Sequence, residues 1–173
     1  AEPGYEFTRQ LEYYDVNFLW EYIFEFTEIR KLKITGPGGD MDAARKIAEV
    51  LITHNIDTIA YGKCYSACTL IFLGGNSRKL EADAELGFHR QWVNPTMHKK
   101  NFDALQDVME WKNEFEYLTY IYNKLNSKLV EDIQYMDDRG VAFDFIMRTI
   151  STEVFDMWTP SREVLLSAGV ITE

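Results

Sequence analysis

The serine of Gly62-Lys-Cys64-Tyr-Ser66-Ala-Cys68 is flanked at equal spacing by the only two cysteines of the chain. It follows the strand-like Asp57-Thr-Ile-Ala-Tyr61 and precedes the apolar Thr69-Leu-Ile-Phe-Leu73. Two chemistries fit such a stretch: the thiols could bridge or hold a metal, or the serine could be a nucleophile with small neighbours. A nucleophilic serine needs a sharp strand-to-helix turn, so that its hydroxyl projects and the next backbone N–H faces the substrate oxygen. Crowding at that turn demands small residues two before and two after the serine. Cys64 and Cys68 can meet that demand as glycine does in G-x-S-x-G. A metal would need further ligands at ligand spacing, and the sequence offers none, so no metal is expected. A disulfide between Cys64 and Cys68 is open to the backbone because Cys64 precedes the helix. Two buried thiols packing the turn rank ahead of it, since Cβ vectors four residues apart converge poorly within a helix.

Acyl transfer needs two further parts. One is a second oxyanion donor, which the glycines of Gly36-Pro-Gly-Gly39 can supply at the end of a strand and the start of a helix. The other is a base. Of three histidines, His54 follows a helix and His98 lies among lysines, whereas His89 ends the apolar Leu86-Gly-Phe-His89, where a sheet could aim it at Ser66. Each residue also has a plainer role: Ser66 as a helix cap, His89 as a satisfied core histidine.

Ile34-Thr-Gly-Pro-Gly-Gly39, Ser66-Ala67, Gly74 with Arg78, Phe88-His89, Phe155-Asp156 and Arg162-Glu-Val-Leu-Leu-Ser-Ala-Gly-Val170 occur in this order. In order and spacing the chain resembles the Clp protease proteolytic subunit, within the crotonase-like superfamily. The resemblance covers residues 30–91 and 150–173. It implies Ser66 as nucleophile, His89 as base, Asp156 as the carboxylate orienting His89, and the N–H groups of Gly39 and Ala67 as the oxyanion hole. Asp137 and Asp138 are the alternatives to Asp156. It further implies peptide or unfolded-protein substrates, a homo-oligomer, and chemistry without a cofactor. Gly36 replaces the serine usual before Pro-Gly-Gly, cysteines flank the nucleophile, and Arg90-Gln-Trp follows the histidine; these departures suggest a divergent exported branch. Two other classes stay open: a crotonase-like acyl-CoA enzyme, and a non-catalytic exported binding or assembly module on the same fold.

The elements needed to position these residues are legible as an α/β chain. An amphipathic helix is expected over 15–28, a strand over 31–35, and a helix from the N-cap Asp40 carrying Met41, Ala44, Ile47, Ala48 and Leu51 on one face. A strand over 56–61, a buried helix over 66–73, and short strands over 78–82 and 85–89 follow. Residues 92–101 read as a polar loop, 101–129 as one long helix, and 142–150 as another. Residues 154–160 read as extended with a turn, 162–167 as a short helix and 169–172 as a closing strand. The expectation is one Clp-protease-like domain over 1–173 built from repeated strand–strand–helix units, with 92–150 a helical insertion or oligomerisation segment.

Composition sets the outer bounds. At 173 residues and 46% hydrophobic, the chain can bury one continuous core. A net charge of −10 opposes phosphate backbones, so nucleic acid is not an expected partner. No run is long and apolar enough for a membrane span. The start Ala-Glu-Pro-Gly suits a mature chain from which a signal segment has been cut, and hence a periplasmic or secreted location.

Overall fold

The structure is a computed structural model that describes residues 4–6, 30–91 and 95–173. The helix expected over 15–28 lies outside the described residues.

A parallel sheet forms the centre. Strand β1 (Gly4–Glu6) pairs with β2 (Lys31–Gly36), β2 with β3 (Asp57–Tyr65), and β3 with β4 (Arg78–Leu80) along its first half. Along its second half, β3 pairs instead with β5 (Glu85–Gly87). The change of partner follows from a bend. The β2–β3 register passes from Ile34↔Ala60 to Gly36↔Cys64, so β3 carries extra residues there. Gly62, at φ 57°, supplies a conformation that few side chains tolerate, and the Thr35 hydroxyl ties the bulge by donating to the Lys63 carbonyl at 3.0 Å. The bend carries the end of β3 to the position where Ser66 begins its turn.

Two helices cover the sheet around this point. Helix α1 (Met41–Thr53) starts at Asp40, whose side chain accepts from the Ala43 N–H at 2.9 Å, and it buries Ala43, Ala44, Ile47, Ala48 and Leu51 as its periodicity requires. Helix α2 (Ala67–Leu73) is buried at every residue. Its Thr, Ile and Phe content is poor for a short helix, so packing rather than propensity holds it. Two guanidinium groups cap its far end. Arg78 is buried and donates to the carbonyls of Leu73, Val170, Gly169 and Arg139. Arg139 donates to Leu73 and Gly75.

The second half is helical: α3 (Pro95–Leu105), α4 (Glu114–Asp138), α5 (Phe143–Ser151) and α6 (Arg162–Ser167). Three expectations change here. The polar loop of 92–101 is helical from Pro95, whose fixed φ and missing N–H suit a first helical turn. The single helix of 101–129 is two helices, parted where Asn113 caps α4 by accepting from the Phe115 and Glu116 N–H groups. The closing strand of 169–172 does not form. That segment is held by Arg78 and by the Thr172 N–H donating to the Arg78 carbonyl at 2.9 Å. One buried apolar cluster joins β2, α1, α2, α5 and residues 165–171. No helix among the described residues is long and apolar enough to cross a membrane.

Candidate active site

Ser66 stands between β3 and α2 at φ 55° and ψ −127°, a conformation outside the regions that non-glycine residues favour. Such a residue costs roughly 1–3 kcal/mol and persists only where its surroundings fix it. Here four constraints do so. Tyr65 pairs with Gly87 in the β3–β5 ladder, and the Ser66 N–H donates to the Gly87 carbonyl at 2.8 Å. The Ser66 carbonyl accepts from the Thr69 N–H at 2.9 Å and the Thr69 hydroxyl at 2.7 Å. Gly38 lies directly under the turn, so close that a Cβ there would meet the Tyr65 carbonyl oxygen at 2.6 Å and the Ala67 nitrogen at 2.7 Å.

The fourth constraint corrects the ranking made from sequence. Cys64 and Cys68 are joined by a disulfide, with Cα atoms 5.3 Å apart, rather than left as two thiols. Cys64 lies on the strand, so its side chain reaches α2 from outside the helix, and the poor convergence of two helical Cβ vectors does not apply. Both cysteines are fully buried. The bridge spans the turn with Ser66 at its middle.

His89 is held by its neighbours along the chain. Phe88 and Trp158 exchange backbone hydrogen bonds of 2.9 and 3.0 Å, and their rings pack with Phe145. The Arg90 N–H donates to the Thr152 carbonyl at 3.0 Å, and its guanidinium pairs with Glu153. The Gln91 amide donates to Asp132. Within this arch, His89 Nδ1 lies 2.6 Å from the Arg90 carbonyl oxygen. A carbonyl can only accept, so Nδ1 carries the proton and a neutral ring presents the lone pair of Nε2.

Ser66, His89 and Gly39 line one cavity of about 280 Å³. The Ser66 hydroxyl makes no hydrogen bond to His89 or to any other described residue. Ala67 opens α2, so its N–H has no intrahelical acceptor. Asp156 is not among the residues lining the cavity; it is exposed, and its carboxylate forms no hydrogen bond among the described residues. Asp137 and Asp138 are exposed near the end of α4, where Asp138 accepts from Gln134.

Two cavity residues were not singled out from the sequence. Asp132 of α4 is buried, accepts at one oxygen from Arg45 of α1 at 2.8 Å, and accepts at the other from Gln91. Arg45 also reaches Asp42 at 3.0 Å, and Lys128 pairs with Asp42 at 3.0 Å. Burial pushes the Asp132 carboxyl above its ordinary range, although Arg45 and Gln91 pull the other way. Its signal was an acid at a core position, four residues before the buried Met136. Thr149 of α5 is the second, and its hydroxyl is buried without a partner.

No protein-family model matches the sequence, and no curated protein does. Among solved structures, the chain is similar to ClpP1 from Listeria monocytogenes, with a TM-score of 0.67 and 9% identity over 97% of this chain and 88% of that one. It is also similar to a mutant of that protein, with a TM-score of 0.63 and 11% identity over the same shares. A mutant of the 1510-N membrane-bound stomatin-specific protease matches 97% of this chain and 75% of its own length, with a TM-score of 0.60 and 17% identity. These likenesses carry the architecture alone, and on them the chain has a Clp-protease-like α/β fold.

Proposed function

We propose that the chain is a serine peptidase. Ser66 Oγ attacks a peptide carbonyl while His89 Nε2 takes its proton; the imidazolium returns that proton to the leaving amine. The N–H groups of Gly39 and Ala67 hold the oxyanion, and water then releases the acyl group from Ser66. The observation that carries the reading is Ser66 held at its strained φ and ψ on the wall of the cavity that His89 also lines. In free enzymes the nucleophile–base bond is often long and tightens only on substrate binding, so its absence here fits a resting site. The Arg90 carbonyl holds His89 in the tautomer that base catalysis needs, which is the part the sequence resemblance gives to Asp156. No cofactor enters this chemistry.

The Cys64–Cys68 bridge supports an oxidising compartment, periplasmic or extracellular. Exposed Phe115, Leu118, Tyr122 and Val130 on α4 support a homo-oligomer in which part of residues 92–150 forms contacts within a single-domain protomer. A second reading, a non-catalytic assembly module, draws on the missing Ser66–His89 hydrogen bond. Treatment with a fluorophosphonate probe and mapping of the adduct by mass spectrometry separates the two. An adduct on Ser66 that Ser66→Ala abolishes is expected; an intact protein that stays unlabelled leaves the assembly module standing.

A further inference from the structure

Asp132 is as buried as an apolar core residue, at 4% exposure, and its two oxygens are used differently. Nε and one Nη of Arg45 both converge on Oδ1, the first at 2.8 Å, and Oδ2 is left to the side-chain amide of Gln91. A carboxylate that served only to join α1 to α4 would meet the guanidinium fork with both oxygens. That join also has other support, since Arg45 and Lys128 each reach Asp42 at 3.0 Å. A buried ion pair is commonly no more stable than apolar residues of like volume, so cohesion alone is a poor reason to keep one. The oxygen given to Gln91 is the part that cohesion leaves unexplained.

Gln91 lies two residues after His89, and the peptide group joining it to Arg90 contains the carbonyl that His89 Nδ1 bonds at 2.6 Å. Such a group is planar, so the direction of its C=O is set once both of its ends are held. The Arg90 end is held by its N–H, which donates to the Thr152 carbonyl at 3.0 Å. The Gln91 end is held through its side chain, whose bond to Asp132 is the one hydrogen bond Gln91 makes among the described residues. The Arg90–Glu153 pair adds little, because both partners are exposed to solvent. Before His89, the paired Phe88 and Trp158 hold the chain. His89 thus spans two anchors, and Asp132 completes the second.

We infer that Asp132 and Gln91 are positioning residues for the base. Asp132 holds Gln91, Gln91 sets the Arg90 carbonyl, and that carbonyl keeps the proton of neutral His89 on Nδ1. This rests on the peptidase reading and names what fixes the base of that same site. A buried aspartate then does at one remove, through a peptide group, what a triad carboxylate does by direct contact. Without the tie, rotation about the Arg90 Cα–C bond turns the carbonyl away. The ring is then free to carry its proton on Nε2, where it cannot take one from a serine.

The test reads the imidazole itself. Ring-nitrogen NMR shifts of isotope-labelled histidine, assigned with His89→Gln and taken where the ring is neutral, report which nitrogen of His89 holds the proton. A fluorophosphonate reports the labelling rate of Ser66. The native protein should hold His89 in the Nδ1–H form. Gln91→Met, which keeps the length and removes the amide, should shift the ring toward Nε2–H and slow labelling roughly tenfold. Arg45→Met combined with Asp132→Leu exchanges the buried pair for apolar side chains, a change that folded proteins commonly tolerate, and should do the same. Asp132→Asn should keep both native values, because Gln91 can flip its amide and accept from the asparagine. A native tautomer and rate in Gln91→Met or in the double variant overturn the inference and leave nucleophile and base in place. Slower labelling with the Nδ1–H form intact assigns Gln91 to the cavity rather than to the ring, and overturns it too. A native protein that never labels at Ser66 overturns the peptidase reading and the inference with it.

Discussion

Gly38 and Ser66 stand so close that a methyl group on the glycine would lie 2.8 Å from the serine Cβ. The glycine turn and the serine turn are therefore a single packed unit, although a whole helix and a strand separate them in the chain. Gly38 itself sits at φ 91°, where L side chains are strained. Gly38→Ala should destabilise the fold by roughly 2–4 kcal/mol through overlap and strain together. It should also slow fluorophosphonate labelling of Ser66. Urea unfolding and labelling rates check the two effects separately; labelling at the native rate would mean the turn does not shape the serine.

His89→Gln should cut the labelling rate at Ser66 at least about a hundredfold, because the general base is gone. Asp156→Asn should leave that rate within about twofold. The contrast follows from where the two side chains sit: His89 Nδ1 bonds the Arg90 carbonyl at 2.6 Å, and Asp156 is exposed outside the cavity. A large loss in Asp156→Asn would show that the loop around 153–157 closes over His89 when substrate binds.

The disulfide closes a very short loop, with a sequence separation of 4, and such a bridge contributes about 2 kcal/mol in the chain-entropy picture. The double variant Cys64→Ala, Cys68→Ala should lose about that much and label more slowly at Ser66. Because both cysteines are fully buried, a mild reductant should leave the native protein intact and reduce the bridge only in denaturant. Alkylation followed by intact-mass measurement reads this directly.

Asp132→Ala should cost about 3 kcal/mol, since it leaves the buried Arg45 guanidinium with the half-exposed Asp42 as its one remaining carboxylate among the described residues. The native aspartate also sets a pH dependence. Its folded-state value is raised above 3.8, so the folded chain holds this proton more tightly than the unfolded one. Stability from this group is thus full below 3.8 and fades as pH rises through the raised value. Asp132→Asn should remove that slope in urea titrations run at successive pH values, and an unchanged slope would assign it to another carboxyl.

Much of the fold was legible because its signals are local. Asp40 announced α1, Gly36 to Gly39 ended β2, and the apolar run of 67–73 gave α2 its limits. The failures over 92–138 were also local. Pro95 is a helix-opening residue, and Asn113 with Glu116 forms a capping pair in which Glu116 accepts from the Lys112 N–H at 2.9 Å. The polarity of 92–101 hid the first, and apolar spacing that continues through 101–129 hid the second. The site divides differently. Ser66, His89 and the glycines stand beside elements that announce them, whereas Asp132 meets Gln91 across 41 residues and Arg45 across 87. Pairings of that kind have no periodicity to read. The bridge between Cys64 and Cys68 ranks second in the sequence because the spacing leaves open how far the turn at Ser66 carries the strand-borne Cys64 back toward the helix.

Arg78 and Arg139 close one end of α2, and the reactive hydroxyl stands at the other. The helix between them has seven residues, about 10 Å. Clipping the chain before Gly169 would strip Arg78 of two of its four carbonyls and leave a half-paired cation in the interior. Damage at the C-terminal end would then reach Ser66 through a rigid rod, without a single cavity residue being altered.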